Sequence, residues 1–226
     1  MSSSLRKIAR AKGDNVADVV SARHEACHAV LALAVGAEIH QARLLPTGRV
    51  ALLLDEPAHY PMAVVAQAGI LADCLSGEIP PFGSGWAKWR RETPPTRDLL
   101  IVMHCARVAV GEPSTDRAGA AWISALHEVT ARLLVANQHP ILRVAEALLK
   151  SPRGMTDAAV RAAAGALTTV SREQLEAQIA ALTFAGLDAA ERELVELTPL
   201  IESLGTSPAW APERLKAIAA EVGGAL

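Results

Sequence analysis

Aromatic residues make up only 3% of the 226-residue chain although 51% of it is hydrophobic, so the core has to be built from Ala, Leu and Val, which favours closely packed helices. Charge of one sign is missing too. The formal net charge is −2, with neither a basic stripe nor an acidic tail, which argues against a nucleic-acid partner. Cysteine is scarce: Cys27, Cys74 and Cys105 are scattered and contain no C-x-x-C pair, which speaks against a disulfide framework or a zinc finger and fits a reducing cytoplasm. No window reaches the roughly 18 uncharged apolar residues of a membrane span; Glu38, Asp73 and Arg107 interrupt the longest candidates. Residues 1–12 are basic but have no apolar core behind them, so they are not read as a signal peptide. None of the five lysines follows a glycine, so the sequence has no P-loop and no ATP partner is expected.

What is present is concentrated in residues 20–36, where His24, Glu25 and His28 form an H-E-x-x-H motif inside an apolar segment. Histidines at i and i+4 leave a helix from one face, about one turn apart, so both imidazoles can reach one zinc ion. Glu25, roughly 100° round the helix, lies near a water activated by that ion and not on the ion itself. Val16, Val19, Val20, Val30, Leu31 and Val35 give the segment an apolar side, and Gly36 is its expected terminator. The bland alternative is an amphipathic helix with hydrogen-bonded histidines. A glutamate wedged between two such histidines on a mostly apolar helix has no packing motive, which favours the metal.

Along the chain, residues 1–13 are read as a frayed terminus and Asp14 or Asn15 as the cap of the motif helix. The period then changes. Residues 39–45 and 49–54, joined by Pro46-Thr47-Gly48, read as a hairpin whose edge could accept an extended peptide. Pro61 is expected to start a helix over 62–76, and Gly69 inside it, costing about 1 kcal/mol relative to Ala, marks a close helix contact. Residues 78–97 form a long loop in which Trp86, Trp89 and Arg90 are candidate substrate-binding residues. Thr96 or Asp98 opens a helix that ends at Gly111, and Pro113 opens another that runs to about Gln138 and is broken by Pro140. The sequence resumes as a helix over 141–150, a turn at 151–154 and a short helix capped by Thr156. Capping-box patterns at Ser171 and Asp188 predict two further helices, near 172–184 and 189–203, and a loop holding Trp210 precedes a last short helix.

The residues alone leave the third zinc ligand open among His40, His59, Asp73, Glu78, Asp98 and His104. His24-Glu-Ala-Cys-His-Ala-Val, followed by Ile39-His-Gln-Ala-Arg-Leu-Leu-Pro-Thr-Gly-Arg49, resembles the zinc-peptidase domain of the FtsH family of ATP-dependent proteases. Residues 68–75, Ala-Gly-Ile-Leu-Ala-Asp-Cys-Leu, are similar to that family's G-G-x-x-A-E-E-L helix. Thr96-Arg-Asp-Leu99 resembles its N-D-L helix, whose Asp is the third ligand, and the resemblance carries that role to Asp98. It covers about residues 20–165. Cys27 departs from a family glycine, close enough to the direction of His24 to crowd the metal, though a small buried residue is the simpler reading.

The expectation is therefore a mainly α fold with a small β-hairpin and a zincin-type HExxH helix, FtsH-protease-like. Residues 14–165 would be the metallopeptidase domain and 166–226 a helical extension. His24, His28 and Asp98 would bind Zn2+, and Glu25 would be the general base for hydrolysis of flexible polypeptides without ATP. The family's rings depend partly on the motor, so a hexamer is not implied, while another oligomer stays open. The rivals are a catalytically silent zinc-binding module of the same fold and a hydrolase of a non-peptide amide.

Overall fold

A computed structural model of the chain describes residues 16–44, 49–53, 59–76, 96–111 and 116–192. Among them are seven helices and one two-stranded sheet: α1 (Val16–Ala34), β1 (Glu38–Arg43), β2 (Arg49–Leu53), α2 (His59–Ser76), α3 (Arg97–Val110), α4 (Asp116–Ala136), α5 (Gln138–Lys150), α6 (Asp157–Ala164) and α7 (Arg172–Arg192). The expected N-terminal segment 1–13, the Pro46-Thr47-Gly48 turn, Pro113, Glu78, Trp86, Trp89, Arg90 and everything after Arg192 lie outside the described residues.

α1 is the centre of the fold. Ala22, Ala26, Ala29, Val30, Leu31 and Ala32 are fully buried, because α2 and α5 pack on it and β1 runs beside it. A helix apolar on nearly all sides has to lie inside. It ends as expected at Gly36, whose φ of 78° suits glycine; Ala37 N–H reaches back to the Ala32 carbonyl at 2.8 Å and satisfies a C-terminal acceptor.

β1 and β2 pair antiparallel with an irregularity between Ile39 and Gln41. The other edge of β1 is occupied: Ala42 and Met155 exchange backbone hydrogen bonds at 3.0 and 2.7 Å, Leu44 N–H donates to Pro152 O, and Ile39 N–H donates to Asp157 Oδ1 at 3.1 Å. The turn after α5 thus fixes the hairpin against the body.

Three helix boundaries differ from the sequence reading. α2 begins at His59, so Pro61 is the third residue of its first turn, where an amide has no intrahelical acceptor to find. The break between α4 and α5 falls at Asn137 and not at Pro140, which is accommodated in the first turn of α5 for the same reason. Asn137 is buried and holds the corner: its Nδ2 donates to Leu133 O and Thr168 O, and its Oδ1 accepts from Thr168 N–H, each at 3.0 Å. α7 runs unbroken through 184–189, so the pattern at Asp188 does not start a separate helix. A Cβ at Gly186 would meet Ala121 at an ordinary 3.9 Å, so the glycine marks no break there, and no proline interrupts the run. The Ser171 capping box does form, with Ser171 N–H to Gln174 Oε1 at 3.0 Å and Gln174 N–H to Ser171 Oγ at 3.2 Å.

Among the described residues beyond 165, the segment 166–192 packs on this body. Val170 N–H donates to Ala34 O, and Leu175 and Ile179 are fully buried where α7 packs on α4 and α2. Between α2 and α4 the buried Gln67 Nε2 donates to His127 Nδ1 at 2.8 Å, and burial holds that imidazole's pKa down to about 3, so it is neutral.

Candidate metal centre

The i, i+4 spacing on α1 brings the rings of His24 and His28 to 4.6 Å between centroids, edge to face. Their Nε2 atoms stand 2.9 Å apart. α3, capped by Thr96 Oγ1 accepting from Leu99 N–H, delivers Asp98 from its first turn. Asp98 Oδ2 lies 3.3 Å from His24 Nε2 and 3.2 Å from His28 Nε2. These three are the group of potential metal ligands that converges among the described residues.

The outer nitrogens explain why the inner ones face each other. His28 Nδ1 donates to the Val65 carbonyl of α2 at 2.7 Å, and His24 Nδ1 meets Asp73 Oδ1, also on α2, at 2.7 Å. A ring that spends its proton on Nδ1 presents a lone pair at Nε2. Two such lone pairs and a carboxylate oxygen converge on one point, which is repulsive unless a cation lies among them. Outer partners of this kind hold metal-ligating histidines in one tautomer and orientation.

Without an ion, a proton takes that part. Burial alone would lower the His24 pKa, but its hydrogen bonds to Asp73 and Asp98 outweigh it and raise the value to about 10. Burial would likewise raise Asp98, yet the His24 and His28 imidazoles hold it well below the usual carboxylate range. Both directions say that the site attracts positive charge.

Space for an ion comes from Gly69. A Cβ there would lie 2.4 Å from His28 Nε2, 2.5 Å from His28 Cε1 and 2.8 Å from Asp98 Oδ2, so any other residue would occupy the point where the ligands meet. The donors present, two imidazole nitrogens and one carboxylate oxygen, fit a divalent ion, and three protein ligands with a further position open is the pattern of catalytic zinc sites. The ligand spacing and mainly helical surroundings are consistent with a zincin-type HExxH site.

Glu25 sits beside this group and outside it. It is 6% exposed, its Oε2 is covered from solvent with no hydrogen-bond partner, and burial raises its pKa against the pull of His28 and His24. Cys27 is not one of the converging ligands: it is buried in the apolar core, where burial pushes its thiol up to about 12.

Of the other candidate ligands, Asp73 is present one layer out, orienting His24. His40 is exposed on β1, and His59 and His104 face each other with centroids 6.3 Å apart, outside the ligand group. The close helix contact expected at Gly69 is found, against His28 of α1; sequence reasoning did not identify the Val65 carbonyl or that the Gly69 contact lies where the ligands meet. Their signal was the spacing of Val65, Gly69 and Asp73, which at steps of four share one face of α2. Compared with known proteins, the chain is matched by no family model and by no curated protein.

Proposed function

We propose that the chain is a zinc metallopeptidase acting on flexible or unfolded polypeptides. The observation that carries this reading is the convergence of His24 Nε2, His28 Nε2 and Asp98 Oδ2 with the unpartnered Glu25 oxygen beside them. His24, His28 and Asp98 would hold the ion, which when bound supplies a Lewis acid that activates water and polarises a carbonyl. Asp73 and Val65 O keep the two rings turned inward. Glu25 takes the proton of the attacking water at a carboxylate oxygen and returns it to the leaving amine nitrogen, so that water is added across the C–N bond and the base is regenerated. A carboxyl whose pKa is raised by burial accepts a proton more readily than an exposed one.

The substrate class follows from two features. β1 is flanked on both sides, so the outer edge of β2 is the edge without a strand partner among the described residues, and an extended peptide can add to it. The sequence holds no phosphate-binding loop to couple ATP to unfolding. The resemblance to the FtsH zinc-peptidase domain supports the same reading, with 14–165 as the catalytic domain and 166–226 as an extension to it. Three free thiols support a cytoplasmic setting.

Digestion of unfolded casein and of a peptide library by the zinc-loaded protein tests the proposal, with loss on chelation and recovery on zinc addition expected. A loaded protein that cleaves neither would leave a metal-binding module without peptidase activity.

A further inference from the structure

α2 shapes the metal centre from behind, with residues that lie on one of its sides. Val65 O accepts from His28 Nδ1 and Asp73 Oδ1 holds His24 Nδ1, both at 2.7 Å, while Gly69 leaves the room in which the ligands meet. Moved towards α1, the backbone at Gly69 would enter that room; moved away or turned, α2 would release both rings. Yet the residues that pack α2 in place are almost featureless: Ala63, Val64, Ala66, Ala68, Ile70 and Ala72 are buried aliphatic side chains. Such contacts are non-directional, and small side chains offer a neighbouring helix only shallow ridges, so they fix neither the rotation of α2 nor its height with much precision.

Gln67 supplies the direction that packing lacks. At about 100° per residue it stands roughly 200° from both Val65 and Gly69, at a height between them, and therefore on the opposite side of α2. There its Nε2 donates to His127 Nδ1 of α4 at 2.8 Å, with both residues shut off from solvent. Burial keeps that imidazole neutral, so its acceptor is not lost to a proton. The Arg132–Glu128, Arg161–Asp157 and Arg172–Glu176 pairs each join neighbours on the outside of one helix; this bond joins two helices inside the core. A buried polar pair is a poor source of stability, since apolar groups of the same shape would serve as well, and here Gln67 Oε1 is left without a hydrogen-bond partner. What the pair adds is direction. We propose that Gln67 and His127 are positioning residues of the metal centre, locking the rotation and height of α2 so that Val65 O, Gly69 and Asp73 meet the two histidines in register. Neither belongs to the ligand group, and both act through α2. This rests on the metal-centre reading and not on peptide cleavage.

Zinc and cobalt binding by the full-length protein test it. Four proteins are compared: the parent; His127→Leu; the double variant Gln67→Met with His127→Leu, in which apolar groups of similar size replace both partners; and His127→Asn, whose Oδ1 can stand in for Nδ1. Competition with a fluorescent zinc chelator reads the affinity, the visible absorption of bound Co2+ reads the geometry of the ligands, and thermal unfolding reports whether each variant is folded. Direct outer partners of metal-bound histidines typically contribute about 10–100-fold in affinity, so residues one layer further out are expected at the lower end. His127→Leu and the double variant should bind zinc about tenfold more weakly and shift the Co2+ bands, and His127→Asn should return both towards the parent. A bond that only stabilised the fold would lower Tm and leave the affinity and bands of the folded protein unchanged. Parental affinity and bands in the folded double variant, or a loss in His127→Asn as large as in His127→Leu, overturn the proposal; if the double variant does not fold, His127→Leu against His127→Asn decides. Failure of the metal-centre reading would appear differently, as a parent that takes up neither ion.

Discussion

His24 and His28 present their Nε2 atoms to each other at 2.9 Å, each ring pinned from behind by an acceptor on α2. With each Nδ1 proton committed to α2, two neutral rings have none to share between their Nε2 atoms, so the contact calls for a cation, either a metal ion or, in its absence, the extra proton on His24. The expected outcome is about one zinc per chain in the purified protein, since three protein ligands suffice for a catalytic site. Elemental analysis of Asp98→Ala and His24→Ala should show the metal lost from both, and a parent without stoichiometric metal after zinc loading would contradict the assignment.

Gly69→Ala is expected to be a severe substitution despite its small size. Its Cβ would fall within 2.4 Å of His28 Nε2, and overpacking of this kind costs about 1–3 kcal/mol, or roughly tenfold to hundredfold in metal affinity if the strain is borne by the bound state. Competition with a fluorescent zinc chelator measures it. Unchanged affinity would mean that the ligands meet elsewhere.

Asp73→Asn tests orientation apart from ligation. Asn keeps the size and can still accept from His24 Nδ1, but it removes the charge; losing such outer partners typically weakens metal binding by about 10–100-fold. Zinc should still bind at one equivalent. If Asp73→Asn instead abolishes binding as completely as Asp98→Ala, Asp73 is itself a ligand.

How much of this was open to sequence reasoning depended on whether a feature is local. The motif helix, the hairpin, Gly36 and Gly111 as stops and the Thr96, Thr156 and Ser171 caps are set by residues within a few positions of one another, and each is found. Pro61 and Pro140 misled, because a proline near a helix start can sit inside the first turn as well as before it. Asp98 needed the resemblance: its place beside His24 is made by packing α3 on α2, which no spacing encodes. The register was not legible either: strands over 39–45 and 49–54 joined by three residues would set Leu45 opposite Arg49, whereas Arg43 stands there.

The metal-free protein should show a characteristic pH dependence. His24 has its pKa raised from 6.5 to about 10, so the stability from its protonated form is fully present below pH 6.5 and is lost as pH rises towards 10. Asp98 has its value lowered from 3.8, so its contribution is present above that and lost as pH falls further. Chelated protein should therefore hold its highest Tm between about pH 4 and 6.5 and lose it towards pH 10, and zinc affinity should climb over the same upper range as the competing proton leaves. A chelated protein whose Tm rises from pH 6.5 to 9, or matches His24→Ala throughout, would contradict the proton's role.

Glu25→Gln bears on the central claim most directly, because it separates proton transfer from metal binding. Gln is nearly isosteric and leaves His24, His28 and Asp98 untouched, but it cannot accept the water's proton; loss of a positioned general base costs about a hundredfold to ten-thousandfold in rate. The measurement is kcat/KM on an unstructured peptide, with zinc content and Tm determined on the same preparation. The account predicts a fall of that size with zinc still at about one equivalent and Tm little changed. Parent-like activity in Glu25→Gln, or no hydrolysis of any peptide by the zinc-loaded parent, would contradict it.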